Sequence, residues 1–382
     1  MTKHAPSHRI AIIGAGIIGL SCAWEFAQRG ALVTLFDPNP IGRGASWAAA
    51  GMLAPAYEAA GETNGHPALF DLCQHSANLW PSWAAHLERR SGLPSGYSDT
   101  KTLAIALTTA DKTRLAALKA GLDRHAVPYE MLNAASARQY DSALSPEIQS
   151  VLLLPSDTHV DNRLTITALI ALCETMPNIT IIKGEANLTM RGGDFHHDGF
   201  DATLITAGWQ SAIVKLREND ASFSLVNADP ILDEIDPYGG QMLSVAKTPN
   251  SPRLTLRADD LYIVPKSDRI IIGATVEPGR TSPEVDTDAI ATLRARAAAI
   301  CPTLAGAQMI ETWAGVRPGT STRAPLLGET TAKGLFVASG HYRNGILLAP
   351  ITAQIMADLI LDGSETPLAA QFSPANFTPV SM

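Results

Sequence analysis

The chain has 382 residues, about 2.5 domain equivalents, and combines 46% hydrophobic with 17% charged residues at a formal net charge of −8. A charged share well under the roughly 25% of an ordinary soluble chain excludes a disordered or low-complexity protein. With 29 basic against 37 acidic residues and no basic block, no nucleic-acid partner is expected.

Lys3 and Arg9 ahead of the apolar run Ile10 to Leu20 superficially resemble a signal peptide. The run falls short of the roughly 20 residues of a membrane span, and Gly14, Gly16 and Gly19 break it. No other segment reads as long enough to cross a bilayer, so a cytoplasmic protein without membrane contact is expected. Cys22, Cys73, Cys173 and Cys301 lie far apart and form no C-x-x-C, which fits a reducing compartment and neither a disulfide nor a zinc framework.

Arg9 to Ile13 read as a short buried strand that ends in Gly14-Ala15-Gly16-Ile17-Ile18-Gly19. A helix follows with Leu20, Ala23, Trp24 and Ala27 on one face, and Gly30 is its stop. Ala31 to Phe36 form a second strand, closed by Asp37. A bare G-x-G-x-x-G is weak evidence, but flanking strands and an acid 23 positions beyond Gly14 make it strong. Gly14 permits the tight turn, Gly16 the approach of a pyrophosphate, and Gly19 the packing of helix on strand. The helix N-terminus presents N–H groups to the diphosphate, and Asp37 would accept from ribose hydroxyls. The bland alternative is a helix-packing glycine cluster in an unrelated α/β protein.

Gly42 to Pro55 is a run of small residues. It reads either as a segment packed on its own domain or as a wall against something large and flat. Helices are expected over Leu69 to Arg90, Asp111 to His125, Arg163 to Met176 (capped by Asp161 or Asn162) and Asp286 to Ile300. A further helix is expected to begin at Pro350 and to stop before Gly363. Strands are expected at Leu103 to Thr108, Thr180 to Lys183, Ala202 to Thr206 and Leu335 to Ala338, with a β-rich region from Gly240 to Ile272 and a hairpin turn over Arg191 to Gly199. On that hairpin, His196 and His197 beside Asp194 and Asp198 read as a solvated turn, and no metal site is expected. The implied architecture is discontinuous α/β. A Rossmann-like dinucleotide-binding domain is expected from 1–90, 151–225 and 310–382, in which the first α/β section, the Ala202 to Gly208 strand and the C-terminal segment share one parallel sheet. A mixed α+β domain from 91–150 and 226–309 places a sheet over the cofactor.

The chain resembles the FAD-dependent amine and amino-acid oxidases of the D-amino-acid oxidase superfamily, and within them the glycine oxidases of thiamine biosynthesis. The fingerprint with Ser46-Trp47-Ala48-Ala49-Ala50-Gly51-Met52 carries part of this resemblance. Tyr262-Ile263-Val264-Pro265-Lys266 with Ile272-Gly273-Ala274-Thr275 carries more. The most specific signal is Trp313 to Gly319 paired with Gly340 to Leu348.

The resemblance implies an FAD-binding domain and a substrate domain whose sheet covers the flavin. It places flavin contacts on Gly14, Gly16, Ile17, Ile18, Gly19, Asp37, Pro38, Ala45, Ser46 and Ala50, Gly51, Met52. A second set falls on His341, Tyr342, Arg343, Asn344, Gly345, Ile346 and Leu347, with Ala186 and Gly208 beside them. The substrate carboxylate is implied to meet Arg317, with Tyr262 and Arg343 close by. Asp260 departs from the larger residue expected near the active-site mouth. Asp259 and Asp260 would repel acidic side chains if they line that entrance.

The residues taken alone leave alternatives open. Arg317, with no other charge between Glu311 and Arg323, needs an anionic partner, either the substrate or an internal carboxylate. Arg343 could anchor its glycine-flanked loop, Tyr262 could be a core aromatic, and His341 a loop hydrogen-bonder. The activity implied by the resemblance is oxidation of glycine and other small amines or D-amino acids by hydride transfer from the α carbon to flavin N5. The products would be an imine, then a 2-oxo acid such as glyoxylate, with ammonia and hydrogen peroxide, and the role would be formation of the thiazole of thiamine. A non-covalent FAD, O2 as acceptor and a homo-oligomer go with it. The alternatives are a D-amino-acid dehydrogenase with another acceptor, a sarcosine or D-amino-acid oxidase, an NAD enzyme, and a non-catalytic flavin module.

Overall fold

The computed structural model describes residues 8–60, 65–219 and 221–377. Strand β1 (Arg9–Ile13) is covered on both faces, as its unbroken Ile-Ala-Ile-Ile pattern requires. It pairs in parallel with β2 (Leu32–Asp37) on one side and Ala202–Ile205 on the other. Ile179–Lys183 and Leu335–Ser339 extend the parallel sheet, and antiparallel Leu326–Glu329 closes it at six strands. Helix α1 (Ile17–Gln28) makes the crossover, and Gly30 at φ +89° turns the chain back into β2. Helices Leu69–Ser91, Asn162–Thr175 and Gly345–Asp362 pack with α1 over one apolar core.

The last of these helices corrects two expectations. It begins at Gly345, not at Pro350, which lies beyond the first turn. Its start is clamped from outside, because the Leu347 carbonyl accepts from Ser76 Oγ at 2.6 Å and Trp80 Nε1 at 2.8 Å. Tertiary packing therefore holds the turn ahead of a proline that lacks its own N–H. The helix is also long and apolar enough to cross a membrane by length and composition, contrary to the sequence reading, but much of it is buried against α1 and Leu69–Ser91.

The second large sheet is mostly antiparallel. Its centre, Asp236–Ala246, Arg269–Gly273, Leu261–Pro265 and Thr255–Ala258, corresponds to the expected β-rich region. Two further strands join it. Ser150–Leu154 pairs with Thr102–Ala106, and Met309–Gly319 pairs along Asp236–Ala246. Ser150–Leu154 and Met309–Gly319 thus belong to this second sheet and not to the parallel one. Met309–Gly319 is a strand although it carries Gly315, Pro318 and Gly319, residues unfavourable inside one.

Candidate active site

At the carboxyl end of β1 the glycines divide by what crowds them. A Cβ on Gly14 would lie 2.7 Å from the Thr206–Ala207 backbone, and one on Gly19 would lie 2.0 Å from the Gly14 carbonyl oxygen. Gly16 would meet only Ser46 Oγ, at 3.2 Å, so its face is the open one. Ile17 N donates to Ser46 Oγ at 2.9 Å, which places that hydroxyl on the N-terminus of α1. The Asp37 carboxylate accepts from Ala15 N and Asn39 N, both at 2.8 Å. Gly184 N donates to the Asp37 carbonyl at 3.0 Å, which brings Ala186 to the same end of the sheet. Gly208 lies there too, its carbonyl accepting from Ser339 Oγ at 3.0 Å.

The small-residue run is held through its carbonyls. Asn162 Nδ2 donates to Ser46 O at 2.7 Å, Trp313 Nε1 to Ala48 O at 3.0 Å, and buried Lys266 Nζ to Ala50 O at 2.7 Å. Gly315 must lack a side chain, since a Cβ would stand 2.4 Å from that of Ala48. Free helix N–H groups, an acid at the end of β2 and a pinned run of small residues fit a flavin dinucleotide in donor chemistry and in shape.

The second segment is fastened to the strand that carries Arg317. Tyr342 N donates to Pro318 O at 2.6 Å, and the Tyr342 ring packs edge-on against Tyr238 at 5.1 Å. His341 is buried with Nε2 3.0 Å from Thr352 Oγ1, and burial holds its pKa down at about 3. It is a neutral structural group. Asn344 stands just before the helix without a side-chain capping bond, and Gly345, Ile346 and Leu347 form the first turn.

Arg317 Nη1 donates to the carbonyls of Gly239 at 3.3 Å and Thr275 at 3.2 Å. Gly240 makes room for it, because a Cβ there would come within 2.6 Å of Nη1. Among the described residues no carboxylate pairs with Arg317, so the internal ion pair left open by the sequence is not what it makes. Tyr262 is buried beside it, its phenol pKa raised by burial against the pull of Arg317, Arg257 and Arg343. Arg343 Nη1 lies 3.5 Å from Glu58 Oε2.

Two residues of this cluster escaped the sequence reading. Arg257 is fully buried on Thr255–Ala258, with Nη1 2.6 Å from Glu58 Oε1 and 3.1 Å from Met52 Sδ, and its guanidinium lies 4.0 Å over the Tyr57 ring. Burial alone would raise the Glu58 carboxyl, but Arg257, Arg343 and Arg317 together hold it down at about 2. For Arg257 the available signal was its place as the one charge within the short strand-like stretch Leu254 to Ala258. Nothing in the sequence marks Glu58.

Glu58 rides on a π-helical turn, Ala56–Ala60, whose first N–H groups are held by buried Asp157. Its two oxygens accept from Ala56 N and Tyr57 N, both at 2.9 Å. Burial pushes the Asp157 carboxyl up to about 7, above its unfolded value of roughly 4. Its stabilising contribution is therefore full below roughly pH 4 and is lost as pH rises through about 7. Between pH 5 and 8 the stability advantage of the wild type over Asp157→Asn should shrink by on the order of 2 kcal/mol. Urea midpoints across that range test it, and a constant difference would remove Asp157 from the account.

Three expectations need correction here. Asp260 does not line the entrance. It pairs with Arg296 at 2.6 Å, on helix Thr287–Ile300. Asp259 does line a cavity of about 320 Å³ shared with Tyr57, Glu58, Arg114 and Arg343, but its carboxylate lies 3.3 Å from Arg114 Nε and its charge is offset. His197 is not on a solvated turn; it packs on Phe200 at 4.4 Å and Phe36 at 5.8 Å, with Nδ1 3.0 Å from Thr203 Oγ1.

Comparison with known proteins gives one answer. The profile of the FAD-dependent oxidoreductases matches residues 9–359. The glycine oxidase of Geobacillus kaustophilus is 31% identical over 370 residues, covering 93% of each chain. The bifunctional protein ThiO/ThiG of Trichormus variabilis is 32% identical over 96% of this chain, which spans about half (55%) of that relative's length. The crystal structure of the Geobacillus kaustophilus glycine oxidase superposes with a TM-score of 0.84 at 29% identity, over 97% of this chain and 100% of that one.

Proposed function

Because the chain belongs to the FAD-dependent oxidoreductase family, we propose that it oxidises glycine and other small amino acids to an imine. The imine hydrolyses to a 2-oxo acid and ammonia, and O2 is reduced to hydrogen peroxide. FAD, when bound, supplies the two-electron acceptor. Gly14 to Gly19, Asp37, Ser46 and the Ala50–Met52 stretch would hold it, with the His341–Leu347 segment on its other side. The observation that carries the reading is Arg317, a guanidinium that bonds the carbonyls of Gly239 and Thr275, lies beside buried Tyr262, and has no carboxylate partner among the described residues. It is free to take a substrate carboxylate and fix its orientation. Tyr262 and the pinned Ala50–Met52 run narrow the space around the α carbon. The buried, neutral His341 is bonded to Thr352 and is no base; an amine that has already lost its proton needs none.

The resemblance to the thiamine-type glycine oxidases supports a role in forming the thiazole of thiamine. The visible spectrum of purified protein decides the core of this reading. It should show oxidised flavin that bleaches on anaerobic glycine and recovers with air. A yellow protein that no small amine bleaches would be a flavin module, and one that recovers only with an artificial acceptor would be a dehydrogenase.

The FAD should be non-covalent. All four cysteines are buried, and none lies in 45–52 or 341–347. Acid precipitation should leave the yellow colour in the supernatant, and colour retained in the washed pellet would refute this.

A further inference from the structure

We infer that Arg257 and Arg343 form a second anion subsite beside Arg317, that Glu58 fills it from within the chain, and that this internal carboxylate restricts the enzyme to substrates with a single carboxylate. The inference rests on the amino-acid oxidase reading and names the residue that sets its substrate class. Glu58 bridges two guanidiniums with its two oxygens, 2.6 Å from Arg257 and 3.5 Å from Arg343. A substrate carboxylate in that place would do the same.

The arginines are not used up by it. Arg257 is fully buried, yet among the described residues its Nε and Nη2 have no partner, and neither has Arg343 Nε. Buried guanidinium donors without acceptors are costly, so a place with three of them is suited to more anionic oxygen than Glu58 provides. The turn that presents Glu58 is fixed as well, since Asp157 accepts from the backbone at Ala56 and Tyr57. The 320 Å³ cavity opens onto Glu58 and Arg343, so the subsite is reachable from outside.

Charge then decides the substrate. Arg257, Arg317 and Arg343 act on Glu58 together, giving three positive groups to one negative. A monocarboxylate on Arg317 is accommodated with positive charge to spare. A short α-amino dicarboxylate would have to place its second carboxylate against that of Glu58, and like charges so placed are strongly disfavoured. Specificity here comes from a repulsive element placed inside an attractive pocket.

The test is Glu58→Gln in FAD-loaded protein, with binding and turnover read separately. Acetate and malonate are titrated as inert ligands by the visible flavin spectrum, and glycine and D-aspartate are compared as substrates. The malonate-to-acetate affinity ratio and the D-aspartate-to-glycine kcat/KM ratio should each rise about tenfold or more over wild type. Unchanged ratios in a folded, loaded variant overturn the inference.

Glu58→Asp keeps a counter-charge for buried Arg257 but withdraws from Arg343. It should shift both ratios less, in the same direction, and it decides the matter should Glu58→Gln fail to fold, with no shift again overturning the inference. In Glu58→Gln/Arg343→Gln the gain should vanish; if it persists, a merely enlarged pocket is responsible and the subsite is wrong. Should no amine bleach the flavin at all, the oxidase reading fails, while the malonate titration still answers for the subsite.

Discussion

Arg317→Met is expected to lower kcat/KM for glycine by about 30- to 3,000-fold while FAD remains bound. Removing one partner of a buried, hydrogen-bonded charge pair costs about 2–5 kcal/mol, and about 1.4 kcal/mol is a factor of ten. The structure adds the reason why the loss should fall on substrate rather than on fold. Arg317 makes two long bonds to carbonyls and no ion pair among the described residues, so methionine strands no carboxylate. Arg317→Lys should recover only part of the activity, because an ammonium cannot make two parallel bonds to a carboxylate. Arg343→Met should cost less than Arg317→Met, since Arg343 already faces the Glu58 carboxylate. Steady-state kinetics with the FAD content of each variant distinguish the outcomes. Near-normal turnover in Arg317→Met with loss in Arg343→Met would reverse the two roles, and a colourless or insoluble Arg317→Met would make it structural.

The sequence was most legible where one short stretch contains the whole physical argument. Strand, glycine turn, helix, strand and acid are contiguous, and β1, α1 and β2 form within a residue or two of where periodicity and Gly30 put them. It misled where the deciding contact lies far along the chain. The helix at Gly345 starts ahead of its proline because Ser76 and Trp80, about 270 positions earlier, hold the Leu347 carbonyl. Ser150–Leu154, not singled out as a strand, is one because Thr102–Ala106 pairs along it. The same holds in the site. Arg317 could be singled out as a charge isolated among apolar neighbours. Glu58 could not, because its meaning comes from Arg257 and Arg343, at separations of 199 and 285 residues. Asp260 shows the converse: close in sequence to Tyr262, it turns instead to Arg296.

Two alanine substitutions in the glycine turn should separate what the protein needs from what the cofactor needs. Gly16→Ala should weaken FAD binding by about 30- to 150-fold, the loss of roughly 2–3 kcal/mol of charge-assisted hydrogen bonds when a methyl group stands off the diphosphate. The apoprotein should tolerate it. Gly16 has φ −74° and ψ −175°, which alanine adopts freely, and its Cβ would meet only Ser46 Oγ at 3.2 Å. Gly19→Ala is different in kind. Its methyl group would be 2.0 Å from the Gly14 carbonyl oxygen and 2.7 Å from Thr206 Oγ1, so α1 must move off β1 even with no ligand present. Overpacking of this sort costs about 1–3 kcal/mol or more, and the displaced helix N-terminus would also lose FAD. Thermal melts of the two apoproteins, set beside FAD titrations, read the two effects separately. Gly16→Ala should melt close to wild type yet bind FAD weakly, and Gly19→Ala should lose both. If Gly16→Ala keeps wild-type FAD affinity, the diphosphate does not lie over that glycine, and the N-terminus of α1 is not the phosphate site.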